Sequence, residues 1–170
     1  MGKDIQIGKN VIEIMTTGMY PNSRFIYREY IQNAADQIDI AIKEGLLTSK
    51  ADGVIDIRID ASLRNIKIRD NATGIEASKV YELLGNVANS TKDRKTQKGF
   101  RGIGRLGGLA YCDTLIFETS AAEEPVKSIM IWDAKKMRAL LMDPKVKIDA
   151  VAVIKEITTL KTEPCDKASH

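Results

Sequence analysis

Histidine is almost absent from this chain: the one copy, His170, is its last residue. No Ser-His-Asp or Cys-His arrangement and no His-rich metal site can be built from it. Cysteine is nearly as scarce. Cys112 and Cys165 stand 53 positions apart, without C-x-x-C spacing. Two such thiols suit a reducing compartment and exclude a disulfide framework. No apolar run approaches the roughly 20 residues of a membrane span. Met1-Gly2-Lys3-Asp4 is not followed by an apolar signal segment, and Gln6 breaks the myristoylation pattern. Asn71-Ala72-Thr73 and Asn89-Ser90-Thr91 match the glycosylation triplet, but without a secretion signal they read as chance. The net charge of +3 is too small to argue by itself for nucleic acid. A cytoplasmic protein without membrane contact is the expectation. Its 170 residues suffice for one domain with a sizeable core.

The pattern along the chain alternates between two periods. Residues 5–17 predict a short helix, and Pro21-Asn22-Ser23 a break and a cap. Residues 24–44 predict a long amphipathic helix ended by Gly45, with Phe25, Ile26, Tyr30, Ile31, Ala34 and Ile38 at helical spacing. Val54–Ile59 and Ile66–Arg69 predict a hairpin turning at 61–65. Helices are expected over 76–85 and 104–112, separated by a polar surface segment over 86–103. Strands are expected at 114–119 and 128–132, then a helix over 134–142 capped by Asp133 and stopped by Asp143-Pro144. Residues 146–157 alternate and predict a last strand. The sum is an α+β, two-layer sandwich with mostly antiparallel strands.

Gly102-Ile103-Gly104-Arg105-Leu106-Gly107 satisfies G-x-G-x-x-G. The dinucleotide reading needs a strand immediately before it, and the charged stretch 92–98 cannot be a buried strand. No Gly-Lys-Ser/Thr follows, so the Walker A loop is absent, and the kinase signatures are missing too. Glycines that open a helix still let backbone N–H groups approach an anion closely. Between 92 and 105, six cations (Lys92, Arg94, Lys95, Lys98, Arg101, Arg105) face Asp93, a local +5 that exceeds the whole chain's charge. That segment suits a triphosphate, and equally a solvated basic loop.

Glu29, Asn33 and Asp36 fall at i, i+4 and i+7, on one face of the long helix. A solvated polar stripe accounts for them as simply as a site does. In a site, a carboxylate accepts a proton from attacking water, and an Asn oxygen suits Mg²⁺, which keeps waters and phosphate oxygens. Asp70 ends an alternating strand, and Gly74 follows four residues on. The pair reads either as a plain turn or as an adenine contact, with Asp70 accepting from the base's amino group and Gly74 allowing close approach.

In this order the motifs resemble those of the GHKL superfamily: DNA gyrase, the ninety-kilodalton heat-shock chaperone, sensor histidine kinases and MutL. The resemblance spans roughly residues 24–120. It implies the Bergerat fold, a helical layer on a mixed sheet, with ATP and Mg²⁺ held between. Residue by residue, Glu29 matches the general base, Asn33 the Mg²⁺ ligand, and Asp36 the acidic position one turn on. Asp70 matches the adenine-reading aspartate and Gly74 its companion glycine. A lid is implied over Asn86–Lys98, with Lys92 where lid residues reach phosphates. Gly99-Phe100-Arg101-Gly102 is similar to MutL's Gly-Phe-Arg-Gly, and Gly104-x-x-Gly107 to the chaperone's phosphate-binding glycines. Ala72 stands where the motif usually has glycine. No Gly-Thr pair occurs after residue 120, so the family's late threonine strand is expected just beyond His170.

A terminal histidine excludes a complete sensor kinase. The resemblance therefore implies an N-terminal ATP-binding and ATP-hydrolysing domain, spanning 1–170, of a longer chaperone-like or MutL-like protein. Further domains of the same chain, a homodimer, and a client protein or DNA are its implied partners. A nucleotide-gated interaction or DNA-clamp module with little catalysis is the alternative.

Overall fold

The structure, a computed structural model, describes residues 7–18, 22–85, 104–122 and 124–165. The first of these are extended: Gly8 bridges Asp149, and the Ile7 carbonyl accepts from Ala150 N at 3.0 Å. Helix α1 (Val11–Glu13) follows and widens into a π-type turn, Ile14–Gly18. The helix expected from residue 5 begins later because the backbone of Ile7 and Gly8 is bonded to the Asp149 loop.

Helix α2 (Ser23–Lys43) matches its prediction closely. Asn22 Oδ1 accepts the Arg24 amide at 3.0 Å, satisfying one of the helix's orphan donors. Gly45, at φ +77°, takes the left-handed conformation that ends it. Ile26, Ala34, Ile38 and Ala41 form its buried stripe. Strands β1 (Ile55–Asp60) and β2 (Asn65–Asp70) form an antiparallel hairpin against which α2 packs. The Asp60 carboxylate closes the turn, accepting from Leu63 N at 2.9 Å and Ser62 Oγ at 2.6 Å. These bonds, Ser62's first, hold the Asp60 carboxyl below the usual carboxylate range.

The predicted helices over 76–85 and 104–112 take tighter or wider forms. A 3₁₀ turn (Ala77–Lys79) and a π-type turn (Tyr81–Gly85) flank the fully buried Val80. Gly104–Ala110 is a 3₁₀ segment. Three glycines in its seven residues remove the α-helical preference there.

Strands β3 (Thr114–Thr119), β4 (Val126–Asp133) and β5 (Thr158–Pro164) form a sheet ordered β3-β4-β5. Every strand ladder among the described residues is antiparallel, in this sheet or in the hairpin. Asp133 Oδ1 caps helix α3 (Ala134–Met142) through Lys136 N at 2.7 Å. The core gathers Met130 and Trp132 of β4, Leu106 and Leu109 of the glycine segment, and Val153 and Ile157.

The strand expected over 146–157 is not one: Ala150–Ile157 form helix α4, and the strand comes after it. In a strand Val151 and Val153 would share a face, yet Val151 is 59% exposed and Val153 fully buried. Val153 and Ile157, four apart, are buried together, which is helical spacing. Asp149 Oδ1 caps the helix by accepting from Ala152 N at 2.7 Å. Asp149→Ala is therefore expected to cost about 1 kcal/mol and lower the midpoint of thermal unfolding by about 2–4 °C. An unchanged midpoint in calorimetry would show the cap to be idle.

Candidate functional site

The periodicity of α2 places Glu29, Asn33 and Asp36 beside the buried stripe, each partly buried. The Glu29 side chain is 18% exposed and accepts a long bond from Arg28 Nη2 at 3.5 Å. Asp36 Oδ1 accepts from Gln32 Nε2 at 2.8 Å. Its other oxygen, Oδ2, is buried and has no hydrogen-bond partner among the described residues. An unmatched buried carboxylate oxygen is costly, so this position suits a donor brought by a ligand or its water.

Asp70 is the last residue of β2, and its carboxylate accepts from Ala72 N at 3.1 Å, starting the turn. Asn71 pins that turn to the entry of β1: its Oδ1 accepts from Val54 N at 2.7 Å and its Nδ2 donates to the Asp52 carbonyl at 2.9 Å. Gly74 sits at φ +65°, and a Cβ there would lie 1.8 Å from the Ser120 carbonyl oxygen. The glycine thus admits the backbone that follows β3. Thr73 Oγ1 donates to Gln37 Oε1 at 3.0 Å, joining the turn to α2, and Ile75 N donates to Thr119 Oγ1 at 2.8 Å.

The glycine segment is joined to the same helix higher up. Tyr30 Oη donates to the Arg105 carbonyl at 2.8 Å and accepts from Gly108 N at 3.2 Å. Gly104 and Gly107 are buried in this segment. Of the six cations between 92 and 105, Arg105 lies among the described residues, and burial pushes its guanidinium down from the ordinary arginine value.

Two polar junctions therefore hold α2, one at Tyr30 and one at Gln37. Seven residues separate them, nearly two turns or about 10 Å, on one side of the helix. Asn33 lies between, one turn from each. Glu29 and Asp36 are the immediate neighbours of the junction residues. One helix thus gathers Glu29, Asn33 and Asp36 with the Asp70–Gly74 turn and with Gly104 and Gly107. Lys92, Gly99, Arg101, Gly102 and the expected lid over 86–98 lie outside the described residues.

Sequence reasoning passed over Tyr30, Gln37, Thr73 and Gly108. Tyr30 reads as one more apolar stripe residue, although a half-buried tyrosine hydroxyl demands a partner. The doubled glycine Gly107-Gly108 was the other signal. An open recess of about 470 Å³ lined by Asn10, Glu13, Ile14 and Gly18 involves none of the motif residues.

Chemically, the arrangement pairs a shielded carboxylate with an amide oxygen, and a strand-end carboxylate with a glycine segment able to present backbone amides. Among the described residues no three His, Cys, Asp or Glu side chains cluster to cage a metal. Asn33, partly buried, offers one amide oxygen and one NH₂ group. Among the described residues no helix is long and apolar enough to cross a membrane.

The family described as "Histidine kinase-, DNA gyrase B-, and HSP90-like ATPase" matches residues 25–163. The chain is 27% identical over 169 aligned residues to the "Chaperone protein HtpG" of Cupriavidus taiwanensis, covering 89% of this chain and 26% of that protein. It is 30% identical over 143 residues to the protein of the same name from Burkholderia lata, covering 74% of this chain and 23% of that one. With the Frankia casuarinae protein, again named HtpG, identity is 33% over 87 residues, 48% of this chain and 13% of the relative. The chain thus spans about a quarter or less of the length of these relatives.

Proposed function

The chain belongs to the histidine kinase-, DNA gyrase B- and HSP90-like ATPase family, and we propose from this that it binds ATP with Mg²⁺ and hydrolyses it as the nucleotide module of a larger chaperone-like machine. The observation that carries the reading is the double attachment of α2, at Tyr30 to the glycine segment and at Gln37 to the Asp70–Gly74 turn. It supports one continuous site with an adenine end and a phosphate end.

In this reading Asp70 accepts a hydrogen bond from the adenine amino group, and Gly74 keeps the adjoining backbone close. Asp36 Oδ2 receives a donor from the nucleotide or an ordered water. Asn33 holds Mg²⁺ through its side-chain oxygen; when bound, the ion offsets the phosphate charge. Backbone amides around Gly104 and Gly107 face the phosphates, and Gly99, Gly102, Arg101 and Lys92 are assigned to the same end. Glu29 orients the attacking water and takes its proton.

The relatives' name, a chaperone, supports a protein client over a DNA clamp. Their greater length supports further domains in the same chain. The six cations between residues 92 and 105 support the second reading, a nucleotide-gated nucleic-acid contact. Steep loss of DNA retention with salt is its test, and no retention at low salt removes it.

Asp70→Asn is expected to weaken binding of a non-hydrolysable ATP analogue by about 10- to 100-fold, because a charged acceptor for the adenine amine is lost. Isothermal titration in Mg²⁺ measures this. No binding by the wild-type chain would sink the function proposed here, and unchanged affinity in the variant would remove Asp70 from the adenine site.

A further inference from the structure

We propose that Tyr30 is a positioning residue for ATP hydrolysis: its hydroxyl sets the phosphate-facing glycine segment against the α2 turn that carries Glu29 and Asn33. The inference rests on the nucleotide reading above and adds to it a residue that the motifs do not contain.

The Tyr30 ring has its own reason to be where it is. It packs edge-on to Phe117, with centroids 6.1 Å apart and planes at 88°. A phenylalanine would fill that space equally well. The hydroxyl is what packing does not require, and it both donates to and accepts from the 3₁₀ segment. It donates to the Arg105 carbonyl and accepts from the Gly108 amide. Two bonds to groups three residues apart fix the segment's orientation as well as its distance. The segment is shaped to receive them, since a Cβ on Gly108 would stand 2.4 Å from Tyr30 Oη.

Orientation matters here because the segment's working groups are backbone amides, which cannot swing independently of the chain. Glu29 precedes Tyr30 directly, and Asn33 is one turn on. A shift of the segment relative to α2 moves the bound phosphates relative to the carboxylate that handles water. Displacements of about 1 Å at such a centre cost up to about a hundredfold in rate. The adenine end is attached separately, through Gln37 and Thr73. Losing the Tyr30 hydroxyl therefore acts on the phosphate end and spares the adenine end.

The test compares wild-type protein with Tyr30→Phe, in Mg²⁺, at a temperature where calorimetry shows both folded. Titration with ADP and with a non-hydrolysable ATP analogue gives two affinities, and phosphate release gives kcat. The expected result is ADP affinity within about twofold of wild type, with kcat and the preference for the ATP analogue over ADP each lower by about tenfold. A purely structural hydroxyl lowers thermal stability but moves neither kcat nor that preference, and this outcome overturns the proposal. Equal loss of both nucleotides overturns it as well. If Tyr30→Phe does not fold, Gly108→Ala pushes the glycine segment off the hydroxyl while keeping the tyrosine, and the same split must appear there. Absence of any nucleotide binding by wild-type protein refutes the function reading itself, which separates the two failures.

Discussion

Glu29→Gln is expected to leave nucleotide affinity within about twofold of wild type and to lower the rate of phosphate release by at least about a hundredfold. The substitution keeps the shape of the side chain and its ability to orient water. It removes the oxygen that can take a proton. In the proposed reading Glu29 does that work; its side chain is 18% exposed, and Arg28 reaches it only at 3.5 Å. That contact, with a cation 70% exposed, is long and partly solvated, so it holds the Glu29 side chain only weakly. Titration with a non-hydrolysable ATP analogue, paired with single-turnover phosphate release, reads binding and chemistry separately. Wild-type turnover by Glu29→Gln would remove this residue from catalysis. Loss of binding in a folded variant would assign it to holding the nucleotide.

The second large effect is on the turn that ends the adenine side of the site. Gly74→Ala is expected to destabilise the fold by about 3 kcal/mol, lowering the thermal midpoint by about 10 °C, and to abolish tight nucleotide binding. Two costs combine. An alanine at φ +65° carries left-handed strain, and its methyl would lie 1.8 Å from the Ser120 carbonyl oxygen. Backbone on both sides leaves no side chain to move aside. Gly45 is the internal control: its φ is +77°, but nothing lies within 4 Å of its missing Cβ. Gly45→Ala should therefore cost about 1 kcal/mol from backbone strain alone. Calorimetry of the two variants separates strain from collision. Equal midpoints would mean that Ser120 yields and that the close approach is unimportant.

Most elements were legible from local pattern. Helix α2 is announced by the Asn22 cap, the spacing of Ile26, Ala34 and Ile38, and Gly45 at its end. The hairpin, β3, β4 and α3 follow from alternation and from the Asp133 cap. These signals act between residues a few positions apart, so the sequence alone decides them. The reading failed at α4 because Val151, Val153 and Ile154 are β-branched and imitate alternation. Which of them is buried is decided by α3 and β4, against which the helix packs.

The site divides in the same way. That Glu29, Asn33 and Asp36 share one helical face is arithmetic on the sequence, and so is the succession of Asp70, Gly74 and the glycine cluster. What no spacing reveals is how these pieces are held together. Tyr30 meets the Arg105 carbonyl and the Gly108 amide across 75 and 78 residues, and Thr73 meets Gln37 across 36. Gly74 must be glycine because of Ser120, a residue just past the end of β3. Capping, periodicity and turn preference are energies of neighbours along the chain, and sequence alone determined them. The junctions that join the separate motifs are energies of neighbours in space, and only the tertiary structure decided those.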